Sequence, residues 1–106
     1  MITFEQFKAL EIRIAKIVAC EVHPNADKLY VVTVEVGEKQ KKVVAGIKNY
    51  YSIEELIGKS VVLLDNLEPA TIRGVQSEGM ILATRDGDKL AVLTPDRETA
   101  SGSPVS

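Results

Sequence analysis

Residues 11–22 hold Ile12, Ile14, Ile17, Val18 and Val22, with Ile12 and Ile14 alternating against Arg13 and Ala15. β-Branched residues at a period of two suit a pleated, half-buried surface, so this stretch reads as one long strand. Ile17 and Val18 are adjacent, which breaks the alternation. A bulge or sharp coil is therefore expected near Lys16.

Strand signals continue along the chain. Residues 29–36 place Tyr30, Val32, Val34 and Val36 on one side of a second strand, after a loop His23-Pro24-Asn25-Ala26-Asp27. Gly37 and Glu38 turn the chain into a third strand over 41–47, and 61–65 forms a fourth. A loop over 66–78 contains Pro69 and Gly74, a strand follows over 79–84, and Asp86-Gly87-Asp88 turns into a closing strand over 89–93. Two capping boxes, Thr3-x-x-Gln6 and Ser52-x-x-Glu55, open short helices. The first, over about residues 4–9, is expected to lie on the barrel as a lid that claims Phe4 and Phe7. Gly58 can end the second. Short strands with a helix between the third and fourth make an all-β, five-stranded OB-fold barrel the expected architecture, although periodicity alone leaves other small barrels open.

The 106 residues, 45% of them hydrophobic, suffice for one core and one domain. The barrel is expected over about 11–84 and a C-terminal β extension over about 85–106, whose tail after the apolar strand Ala91 to Pro95 has no obvious place in a monomeric barrel. No apolar run approaches the ~20 residues of a spanning helix. No secretory signal is visible at the N-terminus, so a cytoplasmic setting without membrane contact is expected. One Cys and one His close neither a disulfide nor a four-ligand zinc site, and no metal or cofactor is expected. The net charge of −2 argues against a generic coat for polyanions, yet it is polarised: residues 1–50 carry +2 and residues 51–106 carry −4. Lys39, Lys41, Lys42 and Lys48 form a local positive face, which either protects a strand edge or meets an anion.

No catalytic constellation is complete. Gly58-Lys59-Ser60 resembles the end of a phosphate loop, but the upstream glycine is Ile53 and a strand follows. Ser77 lacks the glycine of a nucleophile elbow, because Val75 occupies that position. Glu54 and Glu55 suit the first turn of a helix, and Cys20 reads as a small buried hydrophobe. His23 sits in a proline loop, where it can cap, contact RNA or do neither. Small barrels instead bind oligonucleotides through cations and stacked bases. With no Trp, only Tyr30, Tyr50 and Tyr51 remain as platforms, so a ligand read by backbone shape, a folded RNA, fits best.

Three segments carry a sharper signal: His23-Pro24-Asn25-Ala26-Asp27-Lys28-Leu29-Tyr30; Val44-Ala45-Gly46-Ile47; and residues 66–83, from Asn66-Leu67-Glu68-Pro69 through Arg73-Gly74-Val75-Gln76-Ser77-Glu78-Gly79-Met80. Together with Leu93-Thr94-Pro95-Asp96 they resemble the tRNA-binding domain family over essentially the whole chain. That family includes free-standing structure-specific tRNA-binding proteins, the C-terminal domain of methionyl-tRNA synthetases and an endothelial monocyte-activating polypeptide. The resemblance implies an OB barrel with a C-terminal extension and no catalysis of its own.

It further implies a tRNA surface at one open end of the barrel, formed by Asn25, Asp27, Lys28, Asn66, Arg73, Ser77 and Met80. Lys28 and Arg73 would meet phosphates, helped by Lys41, Lys42 and Lys48. Asn25, Asn66 and Ser77 would offer neutral hydrogen bonds, Met80 an apolar floor, and Asp27 would hold its loop through the backbone or Lys28. For Gly46, Gly74 and Gly79 special backbone geometry is the simpler reading. The family often has lysines where this chain has Glu68 and Thr71, which implies weaker or more salt-sensitive binding unless other cations compensate. The implied partners are tRNA, a second copy of the chain and a methionyl-tRNA synthetase whose tRNA affinity the domain raises. The same domain also occurs in a dimeric secretion chaperone, so a module binding unfolded polypeptides is the alternative.

Overall fold

A computed structural model describes all residues, 1–106. In chain order the elements are α1 (Phe4–Lys8), β1 (Ile12–Val22), β2 (Tyr30–Val36), β3 (Lys39–Ala45), α2 (Ile53–Leu56) and β4 (Ser60–Leu64). They continue as β5 (Ala70–Ile72), β6 (Val75–Ser77), β7 (Met80–Ile81), β8 (Ala83–Asp86) and β9 (Lys89–Val92). The main sheet runs β3-β2-β1-β4-β7, every pair antiparallel, and it curls into the OB-type barrel expected from the strand pattern.

The long first strand serves two neighbours. Its first part, Ile12 to Lys16, pairs with Leu64 to Ser60 of β4, and its second, Lys16 to Val22, pairs with Glu35 to Tyr30 of β2. Between Ile17 and Ala19 the register shifts, so the expected irregularity falls at Val18. A bulge bends the strand and raises its twist, which lets one chain segment turn the corner of a barrel. Past β4 the ladder continues: Ile17 N–H donates to Lys59 O at 2.9 Å, and Gly58 N–H donates to Ile17 O at 2.8 Å.

The core is a cluster of small and branched side chains from every wall. Ala15, Ile17, Val32, Val34, Val43, Val61 and Leu63 are all fully buried. On β2, Tyr30, Val32, Val34 and Val36 point inward together, as their alternation implies. α2 contributes Leu56, also fully buried, behind a complete capping box in which Ser52 Oγ accepts from Glu55 N–H and the Glu55 carboxylate accepts from Ser52 N–H. Burying such a side chain stabilises the fold by about 1.5–3 kcal/mol.

Side chains finish the barrel. Along the outer edge of β3, Glu78 N–H donates to Lys42 O at 2.9 Å and Lys42 N–H donates to the Glu78 carboxylate at 3.1 Å. Val44 N–H donates to Ser77 Oγ at 2.9 Å, and that hydroxyl donates to Gly79 O at 3.1 Å. An edge strand left open would expose a row of unpaired amides. Here a serine and a glutamate stand in for the missing backbone.

Four expectations require correction. The lid helix covers nothing: α1 has its capping box but buries no residue, and Phe4 is 71% exposed. The segment 66–78 is not all loop, because β5 and β6 form a hairpin with Ile72 opposite Val75. Its two-residue turn, Arg73 at φ 53° and Gly74 at φ 90°, has the twist hairpins prefer, and an arginine in the left-handed region is not a sequence signal for it. The strand expected over 79–84 is split into β7 and β8, and Leu82 between them donates to Val62 O and accepts from Leu93 N–H.

The C-terminal tail is the fourth correction, since composition gave it no place on a single barrel. Ile14 N–H donates to Ser103 O, Gly102 N–H to Ile14 O, and Val105 N–H to Ile12 O. The tail thus pairs with the half of β1 that β2 leaves free. Ser101 Oγ accepts from Gly37 N–H and donates to Glu35 O, pinning the tail to the β2–β3 turn. Gly102 has φ +90°, and a Cβ there would lie 2.9 Å from Gly37 N and 3.0 Å from Gly37 Cα. Gly87, at φ +61° on the β8–β9 turn, has open space around it. Gly87→Ala is therefore expected to lose only the left-handed penalty of about 1–2 kcal/mol in urea unfolding. Gly102→Ala should lose roughly 1–3 kcal/mol beyond that, because backbone meets backbone.

Candidate nucleic-acid interface

The loop over 23–29 and the β5–β6 hairpin meet at one end of the barrel. His23 follows β1 directly, and the loop closes on itself where His23 N–H donates to Leu29 O at 3.1 Å. The His23 ring, buried, reaches the hairpin through Nε2, 2.9 Å from Ile72 O, and accepts from Asn25 N–H through Nδ1 at 2.9 Å. Asn25 Nδ2 donates to Arg73 O at 3.1 Å. In return Arg73 Nε and Nη2 donate to Asn25 O at 3.3 and 3.1 Å.

This reciprocal bracket leaves Arg73 Nη1 without a protein partner, and Lys28 forms no ion pair. Asp27, Lys28 and Arg73, with Ala26 and Leu29, line a shallow cleft of about 310 Å³. Two uncommitted cations beside this cleft can neutralise phosphates, and Asn25 Oδ1 remains free to accept a hydrogen bond. Asp27 makes no hydrogen bond or ion pair, so the loop is shaped by His23 and Asn25 and not by this carboxylate.

The other expected contacts are spread elsewhere, and several have structural tasks. Ser77 is buried, with its hydroxyl used at the barrel seam. Asn66 ties α1 to the sheet: Nδ2 donates to Ala9 O at 2.8 Å and Oδ1 accepts from Glu11 N–H at 2.9 Å. Lys41 Nζ lies 2.6 Å from Asp65 Oδ1, a contact too bent for a hydrogen bond, and donates to Asp65 O at 2.8 Å. Arg13 approaches the same carboxylate at 3.6 Å. A polar group spent inside the fold is not available to a ligand. Lys42 is exposed beside the seam, Met80 is exposed on β7 opposite Leu64, and Lys48 is half-buried in the turn after β3.

Of the three tyrosines, two serve the core. Tyr30 is buried with its hydroxyl donating to Tyr51 O at 2.7 Å, and the Tyr51 hydroxyl accepts from Val92 N–H at 3.1 Å. Tyr50 alone is exposed, and Arg85 lies over it, with Cζ 5.6 Å from the ring centre and Nη1 3.0 Å from the hydroxyl. Arg85 was not legible as a surface group, since nothing near it in the chain marks Tyr50 as its neighbour. Burial, helped by the Glu21 charge, pushes the Cys20 thiol up to about 11, so it stays protonated at neutral pH and is no nucleophile. No three His, Cys, Asp or Glu side chains converge to hold a metal ion.

Small closed barrels bind oligonucleotides on one face and its loops, and here Lys28 and Arg73 stand on two loops at one end. The family model described as "Putative tRNA binding domain" matches residues 12–104, and the chain belongs to this tRNA-binding domain family, as a binding module and not a catalytic one. The chain is 51% identical over 104 residues to a methionine–tRNA ligase of Pyrococcus furiosus, covering 98% of this chain and 14% of that protein. It thus spans about one seventh of that relative's length. Among solved structures, a CsaA chaperone protein from Picrophilus torridus superposes with a TM-score of 0.93 at 30% identity, each chain covered in full. A MetRS-related protein from Pyrococcus horikoshii superposes with a TM-score of 0.92 at 25% identity, covering 100% of this chain and 98% of the other.

The seam assignment separates Ser77 from the free cations. Ser77→Ala removes the acceptor for Val44 N–H and should cost about 1–3 kcal/mol of stability in chemical denaturation. Measured on folded protein, the salt slope of tRNA binding should not change.

Proposed function

We propose that this domain binds folded tRNA without catalysing any step, and that it works in the cytoplasm as an appendix or partner of a methionine–tRNA ligase. The likeness to the Pyrococcus furiosus ligase over 98% of the chain carries this reading, and the cation-bearing bracket supports it. A second, weak RNA contact tethered to an enzyme raises the effective tRNA concentration, to about millimolar for a short linker. Affinity increases while the chemistry of aminoacylation is untouched. No helix in the domain is long and apolar enough to cross a membrane.

Lys28 and Arg73 are the proposed phosphate contacts, Asn25 a hydrogen-bond partner, and Lys42, Lys48 and Met80 outlying contacts. Tyr50 is the one exposed tyrosine, so base stacking contributes little and recognition rests on backbone shape. The alternative, capture of unfolded polypeptides, draws on the CsaA likeness. Against it, three of the four clefts have at most one hydrophobic side chain in their lining, where an unfolded segment needs an apolar groove.

Titration of folded tRNA, heat-denatured tRNA and a single-stranded oligonucleotide at several salt concentrations tests the proposal. Folded tRNA should bind tightest, with log K falling by about 0.7–0.9 per phosphate contact in log salt. Arg73→Ala should weaken different tRNAs alike, by roughly 1 kcal/mol or more, and reduce the slope by about one. Glu68→Lys should do the reverse. Equal affinity for all three nucleic acids, or saturation by an unfolded polypeptide at lower concentration than by tRNA, would overturn it.

We also propose that the domain is a homodimer. With the tail folded back on β1, the supporting observation is the apolar surface around α1, where Phe4 on the helix and Ile2 and Leu10 beside it are exposed and the helix buries nothing of its own. Sedimentation at micromolar concentration should show about twice the 11.6 kDa chain mass, and Phe4→Glu should return a monomer. A single monomer-sized species in the unmodified protein would refute this.

A further inference from the structure

The His23 ring admits one protonation state. A carbonyl oxygen only accepts and a backbone amide only donates. With Nε2 against Ile72 O and Nδ1 against Asn25 N–H, the proton must sit on Nε2 and the lone pair on Nδ1. The imidazole is therefore the neutral Nε2–H tautomer, an assignment fixed by its partners. The ring is 3% exposed and has no third polar contact.

Both bonds act on the proposed RNA surface. One holds the loop bearing Asn25 and Lys28, and the other holds β5 immediately before Arg73. Arg73 itself stands at φ 53°, a left-handed conformation that a non-glycine residue keeps only where its surroundings over-determine it. Those surroundings are the two-residue β5–β6 turn and the Asn25 bonds, and Asn25 is placed by His23 Nδ1. The strained arginine thus depends on the histidine two bonds away.

We propose that His23 is the positioning residue of the tRNA interface and makes it acid-sensitive: the neutral ring holds Asn25 and Arg73 in place, and protonation at Nδ1 releases them. A proton on Nδ1 would face the Asn25 N–H donor to donor, so the bond breaks and a buried cation is left behind. The charged side chains on the segments around the ring are Glu21, Asp27 and Lys28 on its own strand and loop. Glu68 and Arg73 lie on and before the hairpin, and Lys48 on the turn after β3. None of the carboxylates bonds the ring to favour its charged form.

The sign of the effect is distinctive. Acidification adds positive charge to a protein of net charge −2, which by itself strengthens attraction to a polyanion. Release of the bracket acts in the opposite direction.

This inference rests on the tRNA-binding reading, and its test separates the two. tRNA affinity is measured at constant ionic strength from pH 8.0 to 5.5 for the unmodified protein and for His23→Gln, which keeps a donor for Ile72 O and does not titrate in this range. The unmodified protein should lose affinity roughly five- to tenfold on acidification, the worth of one well-placed contact. His23→Gln should show no such loss. In parallel, ¹⁵N NMR of the unmodified protein should show Nε2 protonated and Nδ1 unprotonated at pH 8, with the Asn25 amide shifting in step with the ring's titration. Affinity that rises steadily to pH 5.5, an acid loss retained in folded His23→Gln, or an Nδ1–H tautomer at pH 8 would overturn the proposal. Absence of tRNA binding at pH 8 would overturn the functional reading and the binding half of this inference, while the ring resonances still decide the clasp.

Discussion

One strand must satisfy hydrogen bonds on two edges that face different neighbours, and the fold is arranged around how β1 does so. At Lys16 it passes from a half that pairs with β4 to a half that pairs with β2, and the bulge at Val18 lies within the second. The division leaves the β2-side edge of residues 12–14 open. The tail over 101–105 closes it, bonding to Ile12 and Ile14 and crossing Gly37 so closely that Gly102 has no room for a side chain. Buried or edge-exposed amides need partners. In this chain the two ends of the sequence supply them to each other.

The same accounting explains why the polar residues of the third motif are hard to read. Ser77 and Asn66 read as ligand contacts in the sequence, yet they, like Glu78, satisfy backbone groups at places where strands are too short or too divergent to pair. Closing a barrel with few residues requires such substitutes. Once they are assigned, Asn25, Lys28 and Arg73 remain together on two segments braced by His23, while Lys42, Lys48 and Met80 stay apart from them. The same accounting explains how a chain of net charge −2 can present a positive edge, since Lys41 and Arg13 are drawn inward to Asp65 while Lys28 and Arg73 have no counter-ion.

Strand positions, both capping boxes and the irregularity in β1 were legible in the sequence because each depends on neighbours within a few residues. Alternation of Tyr30, Val32, Val34 and Val36 needs only the pleat, and Ser52 with Glu55 needs only one helical turn. The family was legible too, because its motifs are long and lie on loops with special geometry. The β5–β6 hairpin was not, because arginine is not a residue that marks a left-handed turn position, and part of what holds it there is Asn25, a residue on another segment. The lid was misread for a similar reason: apolar spacing in α1 shows that Phe4 and Phe7 share a face, not that a surface exists for that face to cover.

What the chain determined by itself was therefore its local conformation and the register of its apolar faces. Sheet closure, the path of the tail, and which of several polar side chains remain free were decided only by the tertiary structure. Backbone and side-chain groups that compete for the same hydrogen bonds are brought together by long-range packing, and no local pattern records who wins. His23 shows the difference most clearly. Its place in a proline loop left it open to capping, RNA contact or no role, and only Ile72 O and Asn25 N–H, on opposite sides of the ring, chose its tautomer and its task.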